Sequence, residues 1–473
     1  MTIDLEKTKK IYMIGVKGVG MTMLAQYLSS LEKEIIGSDT PEVFMTDKIL
    51  ASCNIQVFEE FSESNIPKDV DLIIYSTAYN ENDNIEVMTA KNSKVKTMTY
   101  AEALASIFNQ SYGIAVAGSH GKTTTTAWLG FVLDRAGKYP SVMVGSNVPQ
   151  FEGASINGRS DYLVIEADEY QNKLKYFNPK IALLNNIDYD HPDYFPTQED
   201  YVQVFIEFIK KISAKGFLVT NFDDKVIRRM AYVNSRCKVI SYGIDESADY
   251  LAYDIEEENG VQSFKVKMGT DYSEDSDDGM SDNGLGEFQI KLIGKHNIYN
   301  ALAVIATCIE LGLDLFTIRK YLGEFEGTSR RMDRLGTYRG AIIIDDYAHH
   351  PTEIKTTLTA LRKNYKTKNI ITVFHPHTFT RTKGFFDDFV ESFENTDELI
   401  ILDIYGSARE EQGGVHSKDL VGAIEKLDEN KKIKYISSLE ECTDYLKKEI
   451  GAGDIVLLMG AGDVFRIGEE LIK

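Results

Sequence analysis

Cysteine is scarce: Cys53, Cys237, Cys308 and Cys442 are the only four in 473 residues, and no two form a Cys-x-x-Cys pair. A disulfide framework and a cysteine zinc site are thereby excluded, and a reducing compartment is expected. No apolar run reaches the roughly 18 residues of a membrane span, and the opening MTIDLEKTKK has no apolar signal core. Basic charge is also short, with 52 Lys plus Arg against 73 Asp plus Glu and a formal charge of −21. Nucleic acid and anionic membranes need a basic surface, so neither is expected as a partner. Anionic small substrates stay open, because a few local Lys, Arg and amide groups suffice to bind phosphate. The expected location is cytoplasmic.

At roughly 100–200 residues per domain, the length predicts two to four domains. The chain reads as three consecutive α/β units, at 1–110, 111–326 and 327–473. The first opens with a β run, Ile11–Ile14, the turn G-V-K-G-V-G from Gly15 to Gly20, and a helical pattern, MTMLAQYLSSL. A second run, Glu34–Gly37, closes on Ser38-Asp39, about 20 residues past the glycines, as in a Rossmann-like βαβ unit. The second unit alternates strands (Gly113–Ala117, Tyr162–Ile165, Ile181–Leu184, Gly216–Val219, Lys238–Ile240) with helical stretches. Such alternation predicts a mostly parallel sheet covered on both faces. Near its end the insert 271–284, DYSEDSDDGMSDNG, is too polar to pack and is expected to be a solvated hairpin tip or a disordered segment. The third unit, with strands at Ala341–Ile344, Ile370–Phe374, Leu399–Leu402 and Asp454–Leu458, is a second Rossmann-like domain.

The segment G-S-H-G-K-T-T-T-T, Gly118 to Thr126, joins a strand to a helix. Glycines let backbone N–H groups converge on a phosphate chain, and the helix N-terminus adds partial positive charge. Lys122 is placed for the β- and γ-phosphates, and Thr123, with Thr124 beside it, for Mg²⁺. Val116 stands where the longer ATPase pattern has its first glycine, so this is a short variant of the P-loop. The earlier cluster Gly15-x-x-Gly18-Val19-Gly20 departs from the dinucleotide fingerprint and reads as a second anion site, for a diphosphate-bearing substrate.

Most of the eight histidines stand beside Asp, Asn, Gly or Pro just after a strand, where parallel sheets present ligand groups. His120 is in the phosphate loop, and His191 in N-N-I-D-Y-D-H-P-D. His296 lies in G-K-H-N-x-x-N-A, His349 and His350 follow D-D-Y-A, and His377 ends H-P-H. Glu166-Ala-Asp168-Glu169 follows a strand, and Glu166 is the expected Mg²⁺ ligand on the ATP side. His191, with Asp188 and Asp190 nearby in sequence, is a candidate second metal ligand or substrate positioner.

Taken in order, G-V-K-G-V-G, G-S-H-G-K-T-T-T, E-A-D-E, N-N-I-D-Y-D-H, H-N-x-x-N-A, S-R-R-M-D, D-D-Y-A-H-H-P-T-E, H-P-H-x-x-x-R-T and G-A-G-D resemble the motifs of the Mur ligases. That family consists of three-domain, ATP-dependent amide-bond-forming enzymes that build the peptide stem of peptidoglycan. The resemblance implies two Mg²⁺ ions, held by Thr123, Glu166 and His191, and ATP held by Gly118, Ser119, His120, Gly121, Lys122, Thr123 and Thr124. His296, Asn297 and Asn300 would surround the adenine, and Arg331 and Asp346 would approach phosphates and ribose. Gly15, Gly18, Val19, Gly20, Ser38, Asp39, Ser76 and Thr77 would cradle a UDP group. Tyr347, His349, His377 and Arg381 would close over ATP and the incoming amino acid. Lys122, His191, Arg331, His349 and Arg381 would carry the chemistry.

Within the family the chain is most similar to the member that attaches L-alanine to UDP-N-acetylmuramate. The alternative is the recycling member that attaches the L-alanyl-γ-D-glutamyl-meso-diaminopimelate tripeptide, which E-A-D-E-Y and L-N-N-I-D resemble as well. Either implies small-molecule substrates and a monomer or weak homodimer. Thr378 stands where the first member often has a second arginine, which leaves Arg381 with less help in gripping a carboxylate. No position is assigned to the carbamoylated lysine that many relatives use. A kinase or uncoupled ATPase would use the same phosphate loop without an amino acid.

Overall fold

The structure is a computed structural model, and it describes residues 3–44, 46–258, 260–269, 284–406, 410 and 412–473. All but the last residue of the acidic insert 271–284 lies outside the described residues.

Three sheets follow one another along the chain. The first has five parallel strands in the order Gln56–Phe58, Glu34–Ser38, Lys10–Ile14, Leu72–Tyr75, Lys96–Thr99. Strand order reverses at Lys10–Ile14, so the crevice at its C-terminal end is a switch point, and Gly15 stands there. Side chains alternate as the pleat requires: Ile11 and Met13 face the second domain, while Tyr12 and Ile14 face the first domain's own outer helix.

The central sheet has ten strands. Its parallel middle places Tyr112–Ala117 between Ile181–Leu184 and Tyr162–Glu166. Ala115 and Ala117 pack toward the first domain, and Ile114 and Val116 toward the helices Lys122–Arg135 and Lys295–Glu310. The edges are antiparallel: Gly153–Ile156 on one side and the meander Tyr250–Glu258, Val261–Met268, Gly284–Ile290 on the other. The sequence pattern showed neither Gly153–Ile156 nor its partner Ser141–Val148, because the short edge strand is cut off by a Pro149 turn and carries little apolar alternation.

The third sheet runs Asp333–Tyr338, Ala341–Asp346, Asp454–Met459, Asn369–Phe374, Glu398–Ile401, Lys432–Tyr435, parallel except for its first strand. Its two faces carry separate clusters built around Phe374 and around Val373.

The joints between domains differ in kind. The first two share one apolar core, in which Phe108 meets Phe177 edge to face at 5.4 Å. The third docks on the second largely through charged and polar side chains, described next. An apolar joint resists separation, whereas a polar one exchanges its partners with water at little cost. Of the two joints, the one to the third domain is therefore expected to open first.

Candidate active site

The phosphate loop takes its shape from two glycines. Gly118 has φ +130° and Gly121 φ +75°, and a Cβ on Gly121 would lie 2.6 Å from Asn300 Oδ1. The loop is pinned from outside by two asparagines: His120 N–H donates to Asn186 Oδ1 at 2.7 Å, and Asn185 Nδ2 donates to Thr125 Oγ1 at 3.0 Å. Neither asparagine had been singled out from the sequence, although both lie in the N-N-I-D-Y-D-H motif.

Lys122 Nζ folds back into the loop, donating to the carbonyls of Gly118 and Ser119 and to Glu169 Oε2 at 2.8 Å. Burial alone would lower the ammonium's pKa, but the Glu169 charge raises it above the usual lysine range. Thr123 Oγ1 donates to Glu166 Oε1 at 2.9 Å, and Gly145 N–H donates to Glu166 Oε2 at 2.8 Å. A hydroxyl and a carboxylate side by side at the phosphate loop are hard oxygen donors, the set that suits Mg²⁺. His191, at φ +58°, lies over the Tyr170 ring with its centroid 4.5 Å away. Its Nε2 is 3.8 Å from Glu169 Oε1, so the imidazole borders the same group of carboxylates.

A cavity of about 970 Å³ opens beyond the loop, bordered by His120, Gly121, Thr124, His296, Asn297, Asn300, Arg331 and Asp346. The fold thus brings together the residues expected around a nucleotide from four separate sequence motifs. Asn300 links the loop to the helix Lys295–Glu310, accepting from Thr125 Oγ1 and donating to Asn297 Oδ1, both at 3.1 Å. Burial and the Arg331 charge push the His296 pKa down to about 4, so this ring is neutral. Asp346 accepts the backbone N–H groups of Met332 and Ala348, which ties the connection between domains to the third sheet.

The third domain contributes a second group. Arg381 makes two bonds to Asp190, Nε to Oδ1 at 3.0 Å and Nη2 to Oδ2 at 3.3 Å, and both residues are buried. Arg381 Nη1 also lies 3.2 Å from His377 Nδ1, and the His377 ring is 6.1 Å from that of His349. Tyr347 meets His349 edge to face at 5.2 Å. Burial and the Arg381 charge push the His349 pKa down to about 3, and its Nδ1 lies 2.9 Å from the Tyr347 carbonyl. As a neutral ring it donates from Nδ1, which leaves Nε2 as an acceptor. Thr378, at φ +67°, caps the helix that carries Arg381, with Oγ1 accepting from Arg381 N–H at 3.3 Å.

In the first domain, Gly15 needs its φ of +78°, and a Cβ there would lie 2.9 Å from the Ser76 Cβ. Gly18 caps the helix Val19–Ser30, and Val19 is exposed. Ser38 and Asp39 are turned inward. Ser38 Oγ donates to buried Glu86, and Asp39 accepts Lys17 N–H at 2.7 Å and Tyr79 OH at 3.2 Å. In this state Asp39 braces the glycine loop through its side chain, and Ser38 through its carbonyl, which accepts the N–H groups of Gly15 at 2.8 Å and Val16 at 3.1 Å. Thr77 Oγ1 reaches Gln171 of the central domain at 3.4 Å. Tyr100, unnoticed in the sequence, joins the two sites: a Cβ on Gly20 would lie 2.8 Å from its ring, and burial together with Asp168 and Glu166 pushes its pKa up.

Comparison with known proteins agrees along the whole chain. The model of the Mur ligase family catalytic domain matches residues 10–112, that of the Mur ligase middle domain 116–308, and that of the Mur ligase glutamate ligase domain 330–462. A UDP-N-acetylmuramate–L-alanine ligase of Clostridium acetobutylicum is 39% identical over 477 residues, covering 100% of both chains. One from Desulfitobacterium hafniense is 38% identical over 465 residues, covering 98% of this chain and 99% of its own. Among solved structures, a UDP-N-acetylmuramate-alanine ligase from Thermotoga maritima superposes with a TM-score of 0.81 at 24% identity over 98% of each chain, a likeness of fold.

Proposed function

Because the chain belongs to the Mur ligase family of ATP-dependent amide-bond-forming ligases, we infer that it joins L-alanine to the carboxylate of UDP-N-acetylmuramate, releasing ADP and phosphate. This is the first peptide-forming step of peptidoglycan synthesis. The observation that carries the reading is the phosphate loop itself, where Lys122 pairs with Glu169 and Thr123 with Glu166, while its residues His120, Gly121 and Thr124 border the nucleotide-sized cavity.

A carboxylate does not acylate an amine in water, because its leaving group would be oxide. Attack of the sugar carboxylate on the γ-phosphorus of ATP expels ADP and converts that oxygen into phosphate. The amine then attacks the acyl carbon, and phosphate leaves. Lys122, released from Glu169, holds the β- and γ-phosphates as the carboxylate approaches in line. Thr123 and Glu166 would hold one magnesium ion, and His191 would border a second. Magnesium, when bound, neutralises charge on the transferring phosphoryl group. Gly15, Gly18 and Gly20 admit the diphosphate of the sugar nucleotide, and Tyr100 lines the route from that loop to the phosphate loop.

Tyr347, His349, His377 and Arg381 take the amino acid. Arg381 grips its carboxylate while Asp190 holds the guanidinium in place. His349 accepts an amine N–H at Nε2 and orients it. With a pKa of about 3, this ring is too weak a base to keep the proton, which leaves with the phosphate. Docking of the third domain keeps water from the acyl phosphate.

The test is phosphate release from ATP with UDP-N-acetylmuramate and Mg²⁺, offering L-alanine, L-serine, glycine or the L-alanyl-γ-D-glutamyl-meso-diaminopimelate tripeptide, with products weighed by mass spectrometry. L-Alanine should support release and give a product heavier by one alanyl residue. Release with the tripeptide alone assigns the recycling reaction, and release with no acceptor assigns an ATPase.

A further inference from the structure

Glu353 lies in the first turn of the helix Pro351–Asn364 in the third domain, yet its carboxylate reaches the phosphate loop of the second. Oε1 is 3.2 Å from His120 Nδ1 and 3.5 Å from Arg331 Nη1. Oε2 accepts the N–H groups of His349 at 3.1 Å and His350 at 3.4 Å. The side chain is 10% exposed. One oxygen is therefore fixed to its own domain, and the other joins the loop that receives ATP to the arginine at the domain connection.

The remaining charges around His120 complete the arrangement. Its Nε2 lies 3.0 Å from Asp188 Oδ2, so each ring nitrogen faces a carboxylate, as an imidazolium requires. His350 comes within 3.6 Å of the same Asp188 oxygen. His120, Asp188 and His350 lie close enough to hold a metal ion. Both nitrogens of His120 are already engaged, however, and His350 Nδ1 accepts the Thr352 N–H at 3.3 Å. The imidazolium itself is the cation at this junction.

We propose that Glu353 is a positioning residue for phosphoryl transfer, acting through His120 and Arg331 so that the loop and the arginine reach their working geometry only when the third domain is docked. Undocked, Glu353 leaves with its helix and Arg331, tied to the third sheet through Met332, goes with it, so His120 loses the group that aligns it and the loop loses the arginine. Docked, two cationic groups face the cavity from fixed positions before ATP enters, and the transition state meets them without rearrangement. Acyl-phosphate formation is thereby confined to the closed enzyme, where water does not reach the product. The inference rests on the ligase reading above.

Glu353 also caps its helix, so Glu353→Gln, which keeps an acceptor oxygen for the cap, is paired with His120→Asn, which cuts the same contact from the other domain. In ATP-dependent ligation each variant should lower kcat about 30-fold or more, with the KM for UDP-N-acetylmuramate within about twofold. The double variant should fall no further than the worse single, since both remove one interaction. A kcat within about threefold of wild type in either variant, or losses that multiply in the double, overturns the proposal. Thermal unfolding is followed in parallel, and a loss of kcat that merely tracks a fallen melting temperature also overturns it. An inactive wild-type chain would instead count against the ligase reading, which keeps the two failures apart.

Discussion

Lys122 Nζ and Glu169 Oε2 are 2.8 Å apart, and the glutamate is buried. In the proposed reaction this cation serves the ATP phosphates, so the nucleotide has to take it over from Glu169. A buried ammonium without a counter-charge would be costly, so Glu169 keeps the loop intact between turnovers. Lys122→Ala should lower kcat by about a thousandfold, the scale of losing a main electrostatic group, while UDP-N-acetylmuramate binding stays nearly intact. Calorimetric titration of the sugar nucleotide checks this, and loss of that binding in a folded variant would refute the separation of the two sites. Glu169→Gln leaves Lys122 unpaired and should weaken the empty enzyme, with ATP restoring part of the melting temperature.

Gly20 and Gly121 separate the two substrates. An added methyl on Gly20 meets the Tyr100 ring at 2.8 Å, on the sugar-nucleotide side. The same change at Gly121 meets Asn300 Oδ1 at 2.6 Å, in a left-handed conformation that costs a residue with a Cβ about 1 kcal/mol or more. Gly20→Ala should raise the KM for UDP-N-acetylmuramate about tenfold and leave that for ATP near wild type, and Gly121→Ala should do the reverse. Initial-rate measurements varying one substrate at a time decide. Parallel changes in both constants would mean that the methyl groups disturb the shared core of the first two domains instead.

Contacts made by neighbours in the chain were legible, and contacts made across the fold were not. Strand, glycine turn and helix around Lys122 are contiguous, so their chemistry showed in order. The partners of the same loop come from far away: Glu169 is 47 residues from Lys122, and Glu353 is 233 from His120. Asp190 is 191 residues from Arg381, so only folding reveals that it holds a guanidinium. Ser38, assigned to the sugar nucleotide by the family resemblance, bonds through its hydroxyl to Glu86, a partner 48 residues away that the sequence does not point to. Among the strands, Asp333–Tyr338 was invisible because it pairs antiparallel at an edge, half exposed, with a shift in register at Arg334 and Gly336. Such a strand needs little of the apolar alternation from which strands are recognised.

The His120 ring makes docking of the third domain depend on pH. Burial alone would lower its pKa, but hydrogen bonds to Asp188 and Glu353 raise it from 6.5 to about 10. The protonated ring thus favours the docked state. Of the two carboxylates only Glu353 is on the third domain, so its share of the stabilisation is the part linked to docking, and it is lost as pH rises through about 10. Small-angle scattering between pH 7 and 10.5 should show the wild-type particle expanding, and His120→Asn should flatten that trend. Equal expansion in both would assign the change to other groups.

The pair of Asp190 and Arg381 holds the same joint at a second point, and in the proposed reaction the arginine also serves the amino acid. Asp190→Asn strands a buried guanidinium, and removing one partner of a buried pair typically costs about 3–5 kcal/mol. Each domain carries its own apolar cluster, so the loss falls on docking and on the amino-acid site rather than on folding. The KM for L-alanine should rise about tenfold or more, the KM for UDP-N-acetylmuramate should hold, and protease should cut the 326–329 connection faster. Removing both charges, with Arg381→Met added, takes away the stranded cation and should restore protease resistance in part. Ligation should not return with it, because the group that grips the amino-acid carboxylate is gone. Recovery of turnover in the double variant would show that Arg381 only fastens the domains together.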